Sequence, residues 1–235
     1  MLTFADVSFR YKKNRPMIEG FSSTFSAGKT LLLGPNGAGK STLFALASGL
    51  LKPNSGHIDH PASGVSLMTQ HISPFHGLTV REQVAYSGWL SGETMKNSWN
   101  QSQEILELVR LGDKADLKAS TLSGGQLRRV GIANTLIAST EVMLFDEPSA
   151  GLDLKEASNF YSVLNEVAGK SKCVVVSSHQ IEGLSDFFDN VLLIVSGAIA
   201  FSGTFESFVA LGLDLGALDQ SQALVRAYTS FVDNE

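Results

Sequence analysis

Residues 34–42 read Gly34-Pro35-Asn36-Gly37-Ala38-Gly39-Lys40-Ser41-Thr42, the G-x-x-x-x-G-K-[ST] pattern of a phosphate-binding loop. This stretch constrains the fold most, because the pattern works only where a buried strand passes into a helix. Glycines let the backbone curl so that successive N–H groups point inward at phosphate oxygens. Lys40 adds a point charge for β- and γ-phosphates, and Ser41 offers a hydroxyl to Mg²⁺. The flanks have the required character. Thr30-Leu31-Leu32-Leu33 reads as a short buried strand. Leu43, Leu46, Ala47 and Leu50 recur at helical spacing and predict a helix with one buried face. The start of that helix then faces the phosphates, so Asn36, Gly37, Ala38, Gly39, Lys40, Ser41 and Thr42 are the candidate nucleotide-binding residues.

A second segment narrows the chemistry. Val142-Met143-Leu144-Phe145-Asp146-Glu147-Pro148 is an apolar run ending in two carboxylates. An Asp at the carboxyl end of a buried parallel strand lies beside a phosphate loop and can hold Mg²⁺. Glu147, one position further on, can polarise an attacking water. Alone, the two acids could simply open a turn before Pro148; beside Lys40 the chemical reading takes precedence.

The third segment is Leu122-Ser123-Gly124-Gly125-Gln126, followed by the helical-looking Leu127-Arg128-Arg129-Val130-Gly131-Ile132-Ala133. Ser123 can cap that helix, and the glycines expose N–H groups at its positive end, which makes a second anion site. In order and spacing, the three segments resemble the nucleotide-binding subunit of ATP-binding cassette (ABC) transporters, over nearly the whole chain.

The resemblance implies roles for other positions. Tyr11, in Val7-Ser8-Phe9-Arg10-Tyr11, matches the aromatic that stacks on adenine, although a strand tyrosine needs no such role. Gln70 closes Val65-Ser66-Leu67-Met68-Thr69-Gln70 and matches the glutamine that reaches Mg²⁺ and the attacking water; it also opens the segment facing the membrane partner. Asp153, in Ser149-Ala150-Gly151-Leu152-Asp153, matches an aspartate at the subunit interface, with Ser149 where threonine is usual. His179, after Cys173-Val174-Val175-Val176-Ser177-Ser178, matches the histidine that contacts the γ-phosphate. The implied catalytic residues are Glu147, His179, Gln70 and Lys40, with Ser41, Gln70 and Asp146 around Mg²⁺. ATP and Mg²⁺ are the implied cofactors. ATP would be enclosed between the loop of one copy and Ser123, Gly124, Gly125 and Gln126 of a second, identical or related. A separate transmembrane permease completes the implied assembly, at the cytoplasmic face of the cell membrane. No catalytic position is degenerate.

Composition agrees with a folded enzyme subunit. The 235 residues are 43% hydrophobic and 17% charged, with a net charge of −5, which argues against nucleic acid as a partner. The basic spots, Arg10 to Arg15 and Arg128-Arg129, read as solvated faces. The single cysteine, Cys173, excludes an intramolecular disulfide and reads as a small core residue. The best apolar stretch, Val191 to Phe201, is interrupted by Ser196 and Gly197 and is about half the ~20 residues of a spanning helix. The N-terminus has no basic and apolar leader pattern. A transporter ATPase of this kind is expected to borrow its membrane path from another chain.

The expected fold is α/β, a P-loop NTPase core of ABC type with an N-terminal antiparallel β-subdomain and an inserted α-helical subdomain. One domain spans residues 1–235, with the insertion at about 71–135 and a tail at 205–235. Gly20 and Gly28 read as strand breakers. Helices are expected at Thr79–Leu90, at Glu104–Leu111 ended by Gly112, and at Leu154–Ala168 stopped by Gly169. The tail is amphipathic and is expected to cap the domain rather than meet a partner. Gly77-Leu78-Thr79-Val80-Arg81-Glu82-Gln83-Val84-Ala85-Tyr86 resembles bacterial exporters with a separate membrane subunit, so export of a drug, peptide or lipid-like molecule ranks ahead of import. The competing reading is a cassette ATPase without a transport role. Ribosomal types usually carry two cassettes and repair types insert coiled coils, neither present here; the iron–sulfur assembly type is not separated by length.

Overall fold

The chain builds two sheets around strands that alternate side chains between two cores. The computed structural model describes residues 1–12, 16–149, 154–168, 172–180 and 187–232, with backbone only at 154–156, 158–159 and 167–168. In chain order the strands are β1 (Leu2–Phe9), β2 (Ile18–Phe25), β3 (Gly28–Leu33), β4 (Ser55–Asp59), β5 (Val65–Met68), β6 (Val142–Phe145), β7 (Cys173–Ser178), β8 (Asn190–Val195) and β9 (Ala198–Thr204). The helices are α1 (Lys40–Ala47), α2 (Val80–Leu90), α3 (Met95–Leu108), α4 (Gly124–Ile137), α5 (Leu154–Ala168), α6 (Phe205–Asp214) and α7 (Gln220–Val232).

The larger sheet has the order β5-β6-β7-β3-β8-β9, parallel except for β9, and the smaller is antiparallel β2-β1-β4. Side chains on a strand alternate faces. Leu31, Leu33, Met143, Phe145, Val174, Val176 and Leu193 therefore enter one core, shared with α2, α4, α6 and α7. Leu32, Val142, Leu144, Cys173, Val175 and Leu192 enter the other, shared with α1 and the small sheet. Both faces are covered, which is why these strands read as continuous apolar runs. The expected α/β fold with an antiparallel sheet is what the structure has, but the third strand of the small sheet, β4, comes from beyond the phosphate loop.

Several local expectations need correction. Leu50 lies beyond the end of α1 and is 69% exposed, so only Leu43, Leu46 and Ala47, joined by Phe44, form the buried face. Gly20 does not break β2. It sits at φ 61° where β2 carries one residue more than β1 between Val7↔Phe21 and Phe9↔Ile18, a bulge that glycine accommodates. Gly28 opens β3 instead of ending a strand. β5 ends at Met68, leaving Gln70 in the loop that follows. Helix α3 runs Met95–Leu108, starting well before Glu104, and Gly112 opens a 3₁₀ turn, Gly112–Lys114, instead of ending it. Its buried positions are Ser98, Ser102 and Leu106, so two of the three are hydroxyls, and the apolar residues beside them, Ile105 and Leu108, lie in its last turn.

Thr79 caps α2 reciprocally with Glu82. Val191 to Phe201 forms the β8–β9 hairpin, turning at Ser196-Gly197. Helices α6 and α7 send Phe205, Phe208, Leu224 and Ala227 into the first core. No helix among the described residues is long and apolar enough to cross a membrane. Cys173 is buried, and burial pushes its thiol up to about 11. Lys13, Asn14, Arg15, Asp153 and Gly169 lie outside the described residues.

Candidate functional site

Strands β5, β6, β7 and β3 are consecutive neighbours and all parallel. Their carboxyl ends therefore form one edge, and from that edge come Gln70, Asp146 with Glu147, Ser177 to His179, and the phosphate loop. Crevices beyond the carboxyl ends of parallel strands are where α/β sheets bind ligands.

The loop is shaped by close packing. A Cβ at Gly34 would collide with the Ile194 carbonyl oxygen, and one at Gly39, where φ is 104°, would meet Ile18 Cδ1 at 2.7 Å. The Gly197 N–H donates to the Ala38 carbonyl at 3.1 Å, so the β8–β9 turn props the loop from behind. Helices α2, α3, α4 and α6 have side-chain caps from Thr79, Thr94, Ser123 and Thr204. Helix α1 begins at Gly39 with no side-chain cap and no acid in its first turn. Its leading N–H groups are thus disposed for an anion.

Lys40 is 5% exposed. Its ammonium donates to the carbonyls of Gly34 (2.6 Å) and Pro35 (3.1 Å) and lies 3.7 Å from Glu147 Oε1. Burial pulls the lysine below its usual range, and the charges of Glu147 and Asp146 oppose that fall. Ser41, Asn36 and Gly37 are exposed, and Thr42 is buried. Tyr11 lies two residues past β1, so it is not a strand tyrosine. Its hydroxyl is 3.2 Å from Thr42 Oγ1, its ring meets Phe9 edge-on at 4.9 Å, and it remains 44% exposed.

Glu147 is the hub. It is nearly buried and held at φ 47°, in the left-handed region. His179 Nδ1 lies 3.0 Å from Oε1, and Gln70 Nε2 donates to Oε2 at 3.0 Å. The Glu147 N–H donates to Ser177 Oγ at 2.9 Å, and that hydroxyl donates to Asp146 Oδ1 at 2.7 Å. Arg128, on α4, donates to the Gln70 carbonyl at 3.3 Å; its burial lowers its pKa, opposed by the charge of Glu147. Arg128 is thus half-buried beside the centre and not part of a solvated face.

Lys40, Gln70, Asp146, Glu147 and His179 come together, with Tyr11 at the loop's flank. Ser123 and Gln126 instead bond to one another: the Gln126 N–H donates to Ser123 Oγ (3.3 Å) and the Ser123 N–H to Gln126 Oε1 (3.0 Å). Asp153 is outside the described residues. Ser177 and Arg128 also belong to the cluster, although the sequence pattern marks Ser177 only as part of an apolar strand and Arg128 as solvated. For Ser177 there was a signal, since a hydroxyl at the end of an apolar strand needs a partner when buried.

Mg²⁺ is usually bound through one or two carboxylates together with substrate phosphates and water, not by an all-protein cage. Asp146, just past β6, and the exposed Ser41, in the first turn of α1, carry oxygen donors of the kind that ion takes.

Comparison with known proteins shows the family. The family profile described as "ABC transporter" matches residues 18–150. The energy-coupling factor transporter ATP-binding protein EcfA of Methanothermobacter thermautotrophicus is 32% identical over 220 residues, covering 87% of this chain and 71% of that one. The linearmycin resistance ATP-binding protein LnrL of Bacillus subtilis is 29% identical, with 87% and 69% covered. The phosphonates import ATP-binding protein PhnC of Thiobacillus denitrificans is 31% identical, with 86% and 87% covered. Among solved structures, an ATP-binding cassette of an ABC transporter in its ADP conformation superimposes with a TM-score of 0.79 at 25% identity, covering 97% of this chain and 98% of that one. The chain belongs to the ABC transporter family, as an ATP-binding subunit.

Proposed function

We propose that the chain hydrolyses ATP at a site shared between two copies and passes the resulting closure and opening to a separate permease at the cytoplasmic face of the cell membrane. The observation that carries this reading is the convergence of Lys40, Gln70 and His179 on the carboxylate of Glu147. The loop amides from Asn36 to Thr42 and Lys40 hold the substrate phosphates, and Tyr11 lies against adenine. Ser41, Asp146 and Gln70 would hold Mg²⁺, which when bound would neutralise phosphate charge. Glu147 takes the proton of the attacking water, while Gln70 and His179 orient its carboxylate. Catalysis then rests on positioning and charge stabilisation, as in other phosphoryl transfers.

The shared site is supported by Gly124. It is exposed, and a Cβ built there meets nothing within 4 Å in its own chain. A glycine that its own fold does not require suits close approach by a ligand held on a second copy. Asp153 belongs to the same proposed interface. Closure is a population shift toward the state that binds nucleotide better.

The permease contact is placed beside Gln70. The loop after β5, with α2 and α4, borders a cavity of about 580 Å³ lined by Thr69, His71, Ile72 and Phe75 among others. Exposed Tyr86, Trp89 and Leu90 continue it along α2. One loop thus borders the cavity and carries the Gln70 hydrogen bond to Glu147. The expectation of export is not favoured by the relatives: two names carry import and one carries resistance, so the proposed function is ATP-driven transport with direction set by the permease. The non-transport alternative is not favoured by those names either.

Titration of the purified chain with MgATP tests the loop assignment. Lys40→Ala is expected to weaken binding by about 10–150-fold, from about 1.5–3 kcal/mol of lost charge-assisted contact. Unchanged affinity in calorimetry would remove the loop from phosphate binding. Tyr11→Ala should cost about 0.5–1.5 kcal/mol of ATP affinity while Tyr11→Trp is tolerated. Equal affinity of the Ala variant would leave Tyr11 only its contacts with Phe9 and Thr42.

A further inference from the structure

We infer that Ser177 is a positioning residue of the hydrolytic centre: its one hydroxyl ties the Glu147 backbone to the Asp146 carboxylate and so aims the Glu147 side chain. The inference rests on the reading of Glu147 as general base.

The reason lies in where the β6 ladder stops. β6 pairs with β7 as far as Phe145↔Val176, whereas β7 continues beside β3 to Leu33↔Ser178. Asp146 and Glu147 therefore lie past the last β6–β7 register pair. The Asp146 N–H turns to the Met68 carbonyl on the β5 side at 2.9 Å. That leaves the Glu147 N–H, a donor in a nearly buried residue, to be satisfied by a side chain. Ser177, fully buried, accepts from it at 2.9 Å and spends its own proton on Asp146 Oδ1 at 2.7 Å.

These bonds hold Glu147 at φ 47°, a region that residues with long side chains seldom occupy and keep only when the surroundings over-determine it. That backbone setting directs Oε1 toward His179 and Lys40 and Oε2 toward Gln70. Removing the Ser177 hydroxyl leaves the Glu147 N–H unpaired and Asp146 without its donor. The backbone at 146–147 can then relax toward an ordinary conformation, and the carboxylate swings with it. The two described hydrogen bonds of the Ser177 hydroxyl go to this pair and neither to the phosphate loop, so the loop's hold on the phosphates is left in place.

The test compares single-turnover rates, MgATP affinity by calorimetry and thermal unfolding for Ser177→Ala, Ser177→Thr and Ser177→Val, with Ser177→Ala also made in a Glu147→Gln background. Ser177→Ala is expected to slow turnover by about 10–100-fold, the scale of a misplaced catalytic group, with affinity changed less than about 3-fold. Thr and Val have nearly the same shape and differ in the hydroxyl, so Thr should turn over faster than Val at matched stability, even if the Ala variant folds poorly. In the Glu147→Gln background Ser177→Ala should cost little more, because the two residues act as a unit. Equal rates for Thr and Val, or the same loss in both backgrounds, would overturn the inference. A wild-type chain that does not hydrolyse ATP, or a Glu147→Gln chain that turns over normally, overturns the base reading and the inference with it. Arrest by Glu147→Gln with unimpaired Ser177→Ala overturns the inference alone.

Discussion

Glu147→Gln is expected to bind MgATP normally and to slow turnover by roughly 10²–10⁴-fold, the usual worth of a positioned general base. The substitution is nearly isosteric, so it keeps the packing of a side chain that is only 10% exposed. Its consequences are chemical. One of the carboxylate's two acceptor oxygens becomes an amide donor, so either His179 Nδ1 or Gln70 Nε2 then faces a donor in place of an acceptor. Lys40 also loses the nearest charge that opposes its desolvation. Substrate phosphates replace that charge when nucleotide binds, which is why affinity should survive. The arrested chain should accumulate a nucleotide-bound dimer, visible by size-exclusion chromatography with MgATP and absent without it. Single-turnover rates close to wild type would exclude Glu147 as the base.

Mixing two inactive variants is expected to restore ATPase activity. Lys40→Ala removes the loop lysine. Gly124→Asp places a carboxylate at the start of α4, at a position where a new Cβ touches nothing in its own chain, so the monomer's fold is spared and the Ser123–Gln126 capping box is kept. Each variant alone has every site broken if sites are built from the loop of one copy and α4 of the other. A mixed dimer has one site with both defects and one with neither. At equal proportions, random pairing predicts recovery up to roughly a quarter of wild-type activity if the sites act independently. The measurement is ATPase rate against mixing ratio, with wild-type rate against concentration as its companion. A bell-shaped curve supports the shared site. No recovery at any ratio, with wild-type activity linear down to dilute protein, would mean that each copy works alone.

The candidate site was largely legible because each of its parts is local. A glycine-rich turn must follow a strand, two acids must close an apolar run, and a polar residue must end a buried strand. Each pattern is visible within a dozen residues, as Asn36 to Thr42, Asp146-Glu147 and His179 were. Two of the misreadings share one cause, that apolar periodicity says nothing about polar surfaces that tertiary packing buries. Helix α3 went half unseen because Ser98 and Ser102 occupy its inner face. Arg128 reads as solvated because the sequence holds no sign that it would meet the Gln70 carbonyl. Leu50 has a different cause: spacing alone puts it on the buried face, although α1 ends at Ala47.

The phosphate loop and the paired acids are readable from the chain alone, because they need only their own neighbours to take shape. Which of these groups touch depends on how the strands are ordered in space. Gln70 and Glu147 are 77 positions apart, and only the sheet order β5-β6-β7-β3 sets their strands side by side. That order depends on crossovers through helices, which no local pattern encodes. The same holds for Ser177: its two hydrogen bonds exist because β6 stops pairing with β7 one residue before Asp146, a fact of strand length and register.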